Sequence, residues 1–180
     1  MQAQLMLKNL PMEGVAVGAM DGGAPVLKTE TTGNWPDRYR DKLVEADTAV
    51  RLVERGDRVF VGSGAAEPQN LVTALSRRGP ALGAVEVVHI MTLGAAPYAD
   101  PESAPYFRHN ALFIGPNVRS AVREGRADYT PIFLSEIPRL FRSNRLPIDV
   151  ALIMVSPPDA DGYCSYGVSV DVVKAAAESA

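Results

Sequence analysis

The sequence predicts an α/β fold, a mostly parallel sheet flanked by helices on both faces. Two observations carry that expectation. From Trp35 onward, helical and extended patterns alternate, with Gly or Pro punctuating nearly every switch. The candidate strands are apolar on both faces, as strands sandwiched between helix layers are. Composition agrees, since 180 residues with 47% hydrophobic and 22% charged side chains suffice for one domain with a sizeable core.

In chain order, residues 1–34 come first and are expected to be a weakly ordered lead-in. Their apolar stretch "GVAVGAM" has only Lys8 ahead of it and the acids Glu13 and Asp21 around it, which matches neither a secretory nor an Arg-rich transit signal. "RDKLVEADTAVRLVERGD" places Leu43, Ala46, Ala49, Val50 and Val53 at helical spacing and stops at Gly56, so a helix is expected there. The strand "RVFVG" follows. "PQNLVTALSRRG" opens with Pro68 in a first turn, carries Leu71, Ala74 and Leu75 on one face, and ends at Gly79. "VEVVHIM", "ALFIG" and "DVALIMV" complete the predicted strands. The closing "VVKAAAESA" reads as an amphipathic helix cut off without a stop signal.

Several function classes are excluded early. A net charge of −3, with no basic run longer than Arg77-Arg78, leaves no footprint for a nucleic acid. The single Cys164 cannot build an internal disulfide or a Cys-rich zinc site, which fits a reducing cytoplasm. No apolar run approaches the roughly 20 residues of a membrane span. His109 has no Asp, His or Cys companions at metal spacing and reads as a structural hydrogen-bonding residue just before a strand, and His89 reads as a core residue. No metal or bound cofactor is expected. Arg123, Arg126, Asp128, Glu136 and Arg139 read as a surface ion-pair network.

Two loops follow predicted strand ends and invite a ligand. "VFVGSGAAEPQNL" is a strand, a Gly62-Ser63-Gly64 turn and a helix, an arrangement in which small residues admit a ligand close to the backbone. A dinucleotide fingerprint would want glycine where Glu67 stands, and an acid there opposes a pyrophosphate. "ALIMVSPPDADGYCSYGVSVD" breaks from an apolar strand into a tight polar loop. Ser156, Asp159, Gly162, Tyr163 and Ser165 are the candidates there, with Gly62, Ser63, Gly64 and Pro68 on the other loop. A plain inter-domain turn, with Ser169 capping the last helix, is the structural alternative. Neither Ser165 nor Cys164 has a recognisable base nearby in sequence, so no catalytic residue is assigned.

These blocks, "GSGAAEPQNL", "FRHNALFIGPNVRSAVREGRADYTPIFLSEIP", "PIDVALIMVSPPD" and "SPPDADGYCSYGVSVD", stand in one order and resemble the amino-terminal half of the acetyl-CoA hydrolase/transferase family, which includes 4-hydroxybutyrate CoA-transferases. The resemblance runs from about Trp35 to Ala180. The chain departs from the family pattern at Asp161, where the family has His, and at Tyr166, where it usually has Leu; both bear on acyl preference rather than membership.

The resemblance implies a CoA-transferase-like (NagB/RpiA-like) amino-terminal domain at residues 35–180, a chain ending before the second catalytic domain, and a homo-oligomer. It also implies coenzyme A and small carboxylates as substrates in a class I CoA-transferase, or water as acceptor in an acetyl-CoA hydrolase. In that mechanism a glutamate attacks the acyl-CoA thioester, and the acyl-glutamyl anhydride formed is converted by the released thiolate to an enzyme-CoA thioester. That glutamate belongs to the second half, so Glu67 and Glu136 inherit no catalytic role and this chain alone is expected to be inactive. A sugar-phosphate isomerase-like enzyme would need Arg or Lys at the Gly62-Ser63-Gly64 turn, and none is there. A non-catalytic binding or assembly module is the remaining alternative.

Overall fold

The structure, a computed structural model, describes residues 3–8, 15–17 and 35–180. Its centre is one eight-stranded sheet, formed by β1 (Ala3–Lys8), β2 (Val15–Val17), β3 (Leu43–Val44), β4 (Arg58–Val61), β5 (Val85–His89), β6 (Phe107–Ala111), β7 (Ala127–Tyr129) and β8 (Val150–Val155), in the order β3-β2-β1-β8-β4-β5-β6-β7. The five strands β8-β4-β5-β6-β7 are all parallel, and β1 joins them antiparallel to β8.

The parallel strands owe their burial to alternation between two apolar layers. Val59, Val61, Val85, Val87, Phe107, Val150 and Leu152 point to one layer, and Phe60, Val88, Ala151, Ile153 and Val155 to the other. Helices cover both. On the first side lies α3 (Gln69–Arg77), which follows α1 (Trp35–Arg38), a 3₁₀ turn, α2 (Ala46–Ala49) and a second 3₁₀ turn; it buries Leu71, Val72, Ala74 and Leu75. It is followed by α4 (Gly79–Leu82) and, after β6, by α5 (Arg119–Arg123). On the second side, α6 (Ile137–Arg142) and α7 (Val173–Ser179) pack together, with Phe141 set edge-on to Phe60 at 5.8 Å between ring centroids.

Connectivity creates the functional geography. From β4 the chain steps outward through β5, β6 and β7, then returns to lay β8 on the other side of β4. The strand order therefore reverses between β4 and β8, and open α/β sheets hold ligands outside the carboxyl ends of strands at such a reversal.

Four expectations need correcting or completing. The helix expected over residues 40–57 is broken. Leu43 and Val44 extend to pair with Ala16 and Val17, and only the single turn Ala46–Ala49 and a 3₁₀ turn at Val50–Leu52 follow, although Ala49, Val50 and Val53 are buried as their spacing demanded. The strand placed at "ALFIG" lies four residues earlier, at Phe107–Ala111, so His109 is within the strand rather than ahead of it. Its polar side chains are tolerated because each has an internal partner: His109 Nδ1 donates to the Val87 carbonyl at 2.8 Å and Asn110 Nδ2 to Glu86 Oε1 at 3.0 Å. The ion-pair network resolves into separate pairs, Arg108 with Asp128 and Arg126 with Glu124; among the described residues Arg123, Glu136 and Arg139 form none. Of the 1–34 lead-in, most lies outside the described residues, and the parts described are the strands β1 and β2, with β1 in register with β8 from Ala3↔Val155 to Lys8↔Val150.

Candidate functional site

The carboxyl ends of the parallel strands carry the candidate site. Gly62 follows β4 directly, and a side chain there would press on the Ala66 carbonyl at 3.3 Å and on the β8 backbone at Leu152 and Ile153. Gly64 has φ +59, a left-handed conformation that favours glycine, and the space beside its Cα faces Ser169 Oγ, 3.5 Å from where a Cβ would stand. The two loops singled out in the sequence thus meet across the β4–β8 reversal. The contact runs through Ser169, which its place in the sequence marks only as a helix cap. Ser169 does not cap: α7 is preceded by Val172, whose amide bonds Asp171 Oδ1.

The loop after β8 is braced by its own polar groups. The Ser156 amide donates to the Ser165 carbonyl, and the Ser165 amide to Ser156 Oγ, each at 2.8 Å. Asp159 Oδ1 accepts from the amides of Asp161 and Tyr163 at 3.0 and 2.8 Å. The loop's tip leans onto the chain around α1: Arg38 donates to the Ala160 carbonyl at 2.6 Å, and a Cβ on Gly162 would strike the Tyr39 hydroxyl at 2.6 Å. Ser156 and Ser165 therefore form the base of the loop, whereas Asp159 and Gly162 shape its tip. Tyr163 projects outward, 76% exposed. Ser63 and Pro68 are buried; Pro68 stands just ahead of α3, where its carbonyl accepts from the Val72 amide.

Beneath the rim is a polar layer legible only in three dimensions. The buried polar residues among those described, Ser63, Glu67, His89, Thr92, His109 and Asn110, come from the ends of β4, β5 and β6 and the loops after them. His89 and His109 stack at 4.2 Å between ring centroids, with the Tyr98 ring tilted against both at 5.8 and 5.6 Å. Burial holds His89 well below the ordinary imidazole range and His109 at about 4, so both rings are neutral near pH 7. Neither His89 nitrogen, nor Ser63 Oγ, nor His109 Nε2 meets a partner in good hydrogen-bond geometry.

Glu67 is the link the sequence could not show. Its Oε2 accepts the Gly94 amide at 2.6 Å, with the Leu93 amide alongside, and burial raises its carboxyl above the ordinary value while these amides pull it down. Cys164 lies in the same loop as Asp159, and partial burial of its thiol, then the nearby Asp159 charge, push it up and so reduce its thiolate fraction.

The surface above these groups is apolar. Among the described residues the large exposed hydrophobics all belong to this end of the sheet: Leu93 after β5, Phe113 after β6, Tyr129 closing β7 with Phe133 and Leu134 beyond it, and Tyr163, Val168 and Val170 after β8. Also among the described residues, no group of His, Cys, Asp and Glu could hold a metal ion, and no helix is long and apolar enough to cross a membrane.

Comparison with known proteins places this arrangement. The model of the acetyl-CoA hydrolase/transferase N-terminal domain matches residues 28–180. The chain is 49% identical over 146 residues to the 4-hydroxybutyrate coenzyme A transferase of Clostridium kluyveri, a match covering 81% of this chain and 34% of that protein. It is 44% identical over 147 residues to a succinyl-CoA:acetate/propanoyl-CoA:succinate CoA transferase of Fasciola hepatica, covering 81% of this chain and 30% of the relative. Among solved structures, a 4-hydroxybutyrate CoA-transferase from Porphyromonas gingivalis superposes with a TM-score of 0.63 at 33% identity, covering 81% of this chain and 33% of that one. RipA from Yersinia pestis superposes with 0.73 at 27% identity, covering 82% and 37%. The chain spans about a third of the length of the curated relatives it matches.

Proposed function

The chain belongs to the acetyl-CoA hydrolase/transferase family, whose N-terminal domain it carries, and from that premise we propose that it forms one wall of the cleft in which an acyl-CoA passes its CoA to a small carboxylate. The observation that carries this reading is the apolar rim. Among the described residues, large exposed hydrophobics lie on the loops after β5, β6, β7 and β8 and at the end of β7, above a layer of buried polar groups, at the end of the sheet where strand order reverses. Water-exposed apolar surface concentrated in one place marks a face made to be covered, and the cover we propose is a carboxy-terminal catalytic domain of the kind the relatives' greater length accommodates.

The chemistry needs that cover. A carboxylate nucleophile must be held against the thioester carbonyl with donors aimed at the developing oxyanion. In this domain the buried acid, Glu67, is bound to backbone amides, the single thiol is shifted toward its protonated form, and both histidines lie inside the sheet. The Gly62–Gly64 turn, Ser156, Ser165 and Ser169 are proposed to meet the substrate's carboxylate and thioester from the acceptor side. Bare, the same rim should drive self-association. Location in the cytoplasm fits the substrate class, since acyl-CoA pools are intracellular.

The test is a chimera in which this chain replaces the matching third of the Clostridium kluyveri enzyme. The chimera is expected to transfer CoA between butyryl-CoA and acetate. The 180-residue chain alone should give neither turnover nor a mass change, whether the gain of a hydroxamate after hydroxylamine or the loss on reduction to the alcohol after borohydride. Turnover by the chain alone, or a trapped adduct on Glu67 or Glu136, overturns the composite-site reading; so does a chimera that unfolds cooperatively yet binds no acyl-CoA.

A further inference from the structure

Glu67 is the only acidic residue among those described that is buried, at 4% exposure, and a buried carboxylate is costly unless its hydrogen bonds accomplish something packing could not. Its partner is a turn 27 residues away. That turn is gripped from three sides. Glu67 Oε2 accepts the Gly94 amide at 2.6 Å, the Gly64 amide donates to the Met91 carbonyl at 2.7 Å, and Asn117 Nδ2 donates to both Thr92 Oγ1 and the Gly94 carbonyl at 2.9 Å. Loops leaving β4, β5 and β6 are thereby stitched into one belt across the rim. Gly94 is fitted to this contact, because a Cβ there would fall 2.8 Å from both Cδ and Oε1 of Glu67. What the belt presents outward is Leu93, 67% exposed and set between two clamped neighbours.

We propose that Glu67 is a positioning residue, which holds the Thr92–Gly94 turn so that Leu93 stands as a fixed apolar wall for the acyl group beside the Gly62–Gly64 turn. The identity of the group that Leu93 meets rests on the CoA-transfer reading above; the Glu67–Gly94 unit does not. Neutralising the carboxylate while keeping its shape loosens the turn and blurs discrimination between short acyl chains. It leaves the reacting centre itself in place, because Glu67 touches no substrate.

The experiment has two arms. In the ¹⁵N-labelled 180-residue chain, Glu67→Gln should move the Gly94 and Leu93 amide protons upfield, with resonances elsewhere in the sheet unchanged. In the chimera, Glu67→Gln should raise the KM for butyryl-CoA about tenfold while changing kcat less than about twofold, with a smaller change for acetyl-CoA. Gly94→Ala should do the same from the other side of the contact, and the double variant should be no worse than either single one, since the two residues act as a unit. Unmoved amide resonances, fully additive effects, or kcat and KM worsening only in step with lost stability would each overturn the proposal. If the chimera with wild-type domain transfers no CoA, the functional reading has failed instead, and the amide resonances still decide whether Glu67 holds the turn.

Discussion

The two ends of the parallel sheet are built on opposite plans. At the amino end, charged side chains tie strands to one another. Arg58 pairs with Glu86 at 2.7 Å and also donates to the Pro147 carbonyl at 2.9 Å, Asp149 takes the Arg58 amide at 2.7 Å, and Lys8 bridges Asp57, Glu54 and the Leu52 carbonyl. At the carboxyl end, hydrophobics face water and polar atoms are buried beneath them, several without partners. An end that satisfies its own groups is finished as a structure. An end that buries polar groups and exposes apolar ones leaves interactions unmade within the chain.

Removing a tie at the closed end should cost most. Arg58 and Glu86 are 23% and 25% exposed, so Arg58→Ala takes the cation from a partly buried carboxylate, leaving it Asn110 as its side-chain donor, and frees the Pro147 carbonyl, for an expected loss of about 2–3 kcal/mol. Leu93→Ser or Phe133→Ser at the open end should stay within about 0.5 kcal/mol and reduce self-association of the chain. Urea midpoints of the three variants decide. Equal losses at both ends would erase the distinction.

Acid should reach the polar layer next. His109 is held at about 4 in the fold against an unfolded value of 6.5, so below pH 6.5 the unfolded chain takes up a proton that the folded chain refuses. The stability tied to neutral His109 is whole above 6.5 and is lost as pH falls toward 4, by about 2 kcal/mol at pH 5. His89, depressed by burial and by its neighbour, acts in the same direction. Denaturation of His109→Asn across pH 7.5 to 5 should show a visibly flatter decline. Asn keeps a donor for the Val87 carbonyl, so an unchanged slope would mean that the titrating group lies elsewhere.

A smaller effect is expected at Gly64. With φ +59, Gly64→Val places a β-branched residue in the left-handed region, costing about 1–2 kcal/mol, and crowds Ser169. In the chimera, turnover should fall further than stability does. Activity intact in a folded variant would make this a plain turn.

How much of this was readable in advance follows from where each signal lives. β4, β5 and β8 announce themselves because both faces are apolar and local. β6 is hidden in the sequence because the partners of its polar side chains, Val87 and Glu86, lie more than 20 residues away, so "FRHNA" looks too polar for a strand beside the apolar "ALFIG". That the two candidate loops share one rim follows from a topological rule that needs only strand ends. Ser169 and the Glu67–Gly94 contact were not found, since a hydrogen bond between distant loops leaves no periodicity behind.

The finest test asks whether charge pairing as such, or what it ties down, closes the amino end. Arg108 and Asp128 offer the control. They join β6 to β7 with a two-pronged contact, as Arg58 and Glu86 join β4 to β5, but are 48% and 54% exposed. Water already solvates both groups, so pairing them recovers little, and side-chain ordering offsets part of that. A double-mutant cycle of Arg108→Ala and Asp128→Ala should give a coupling of about 0.2–1 kcal/mol, falling when salt is raised. The corresponding cycle on Arg58 and Glu86 should exceed it and hold up in salt, because those groups, 23% and 25% exposed, are mostly withdrawn from solvent and Arg58 bonds backbone as well. If the two couplings prove equal, burial is not what distinguishes them, and the closed end owes its strength to the carbonyl and amide bonds of Arg58 alone.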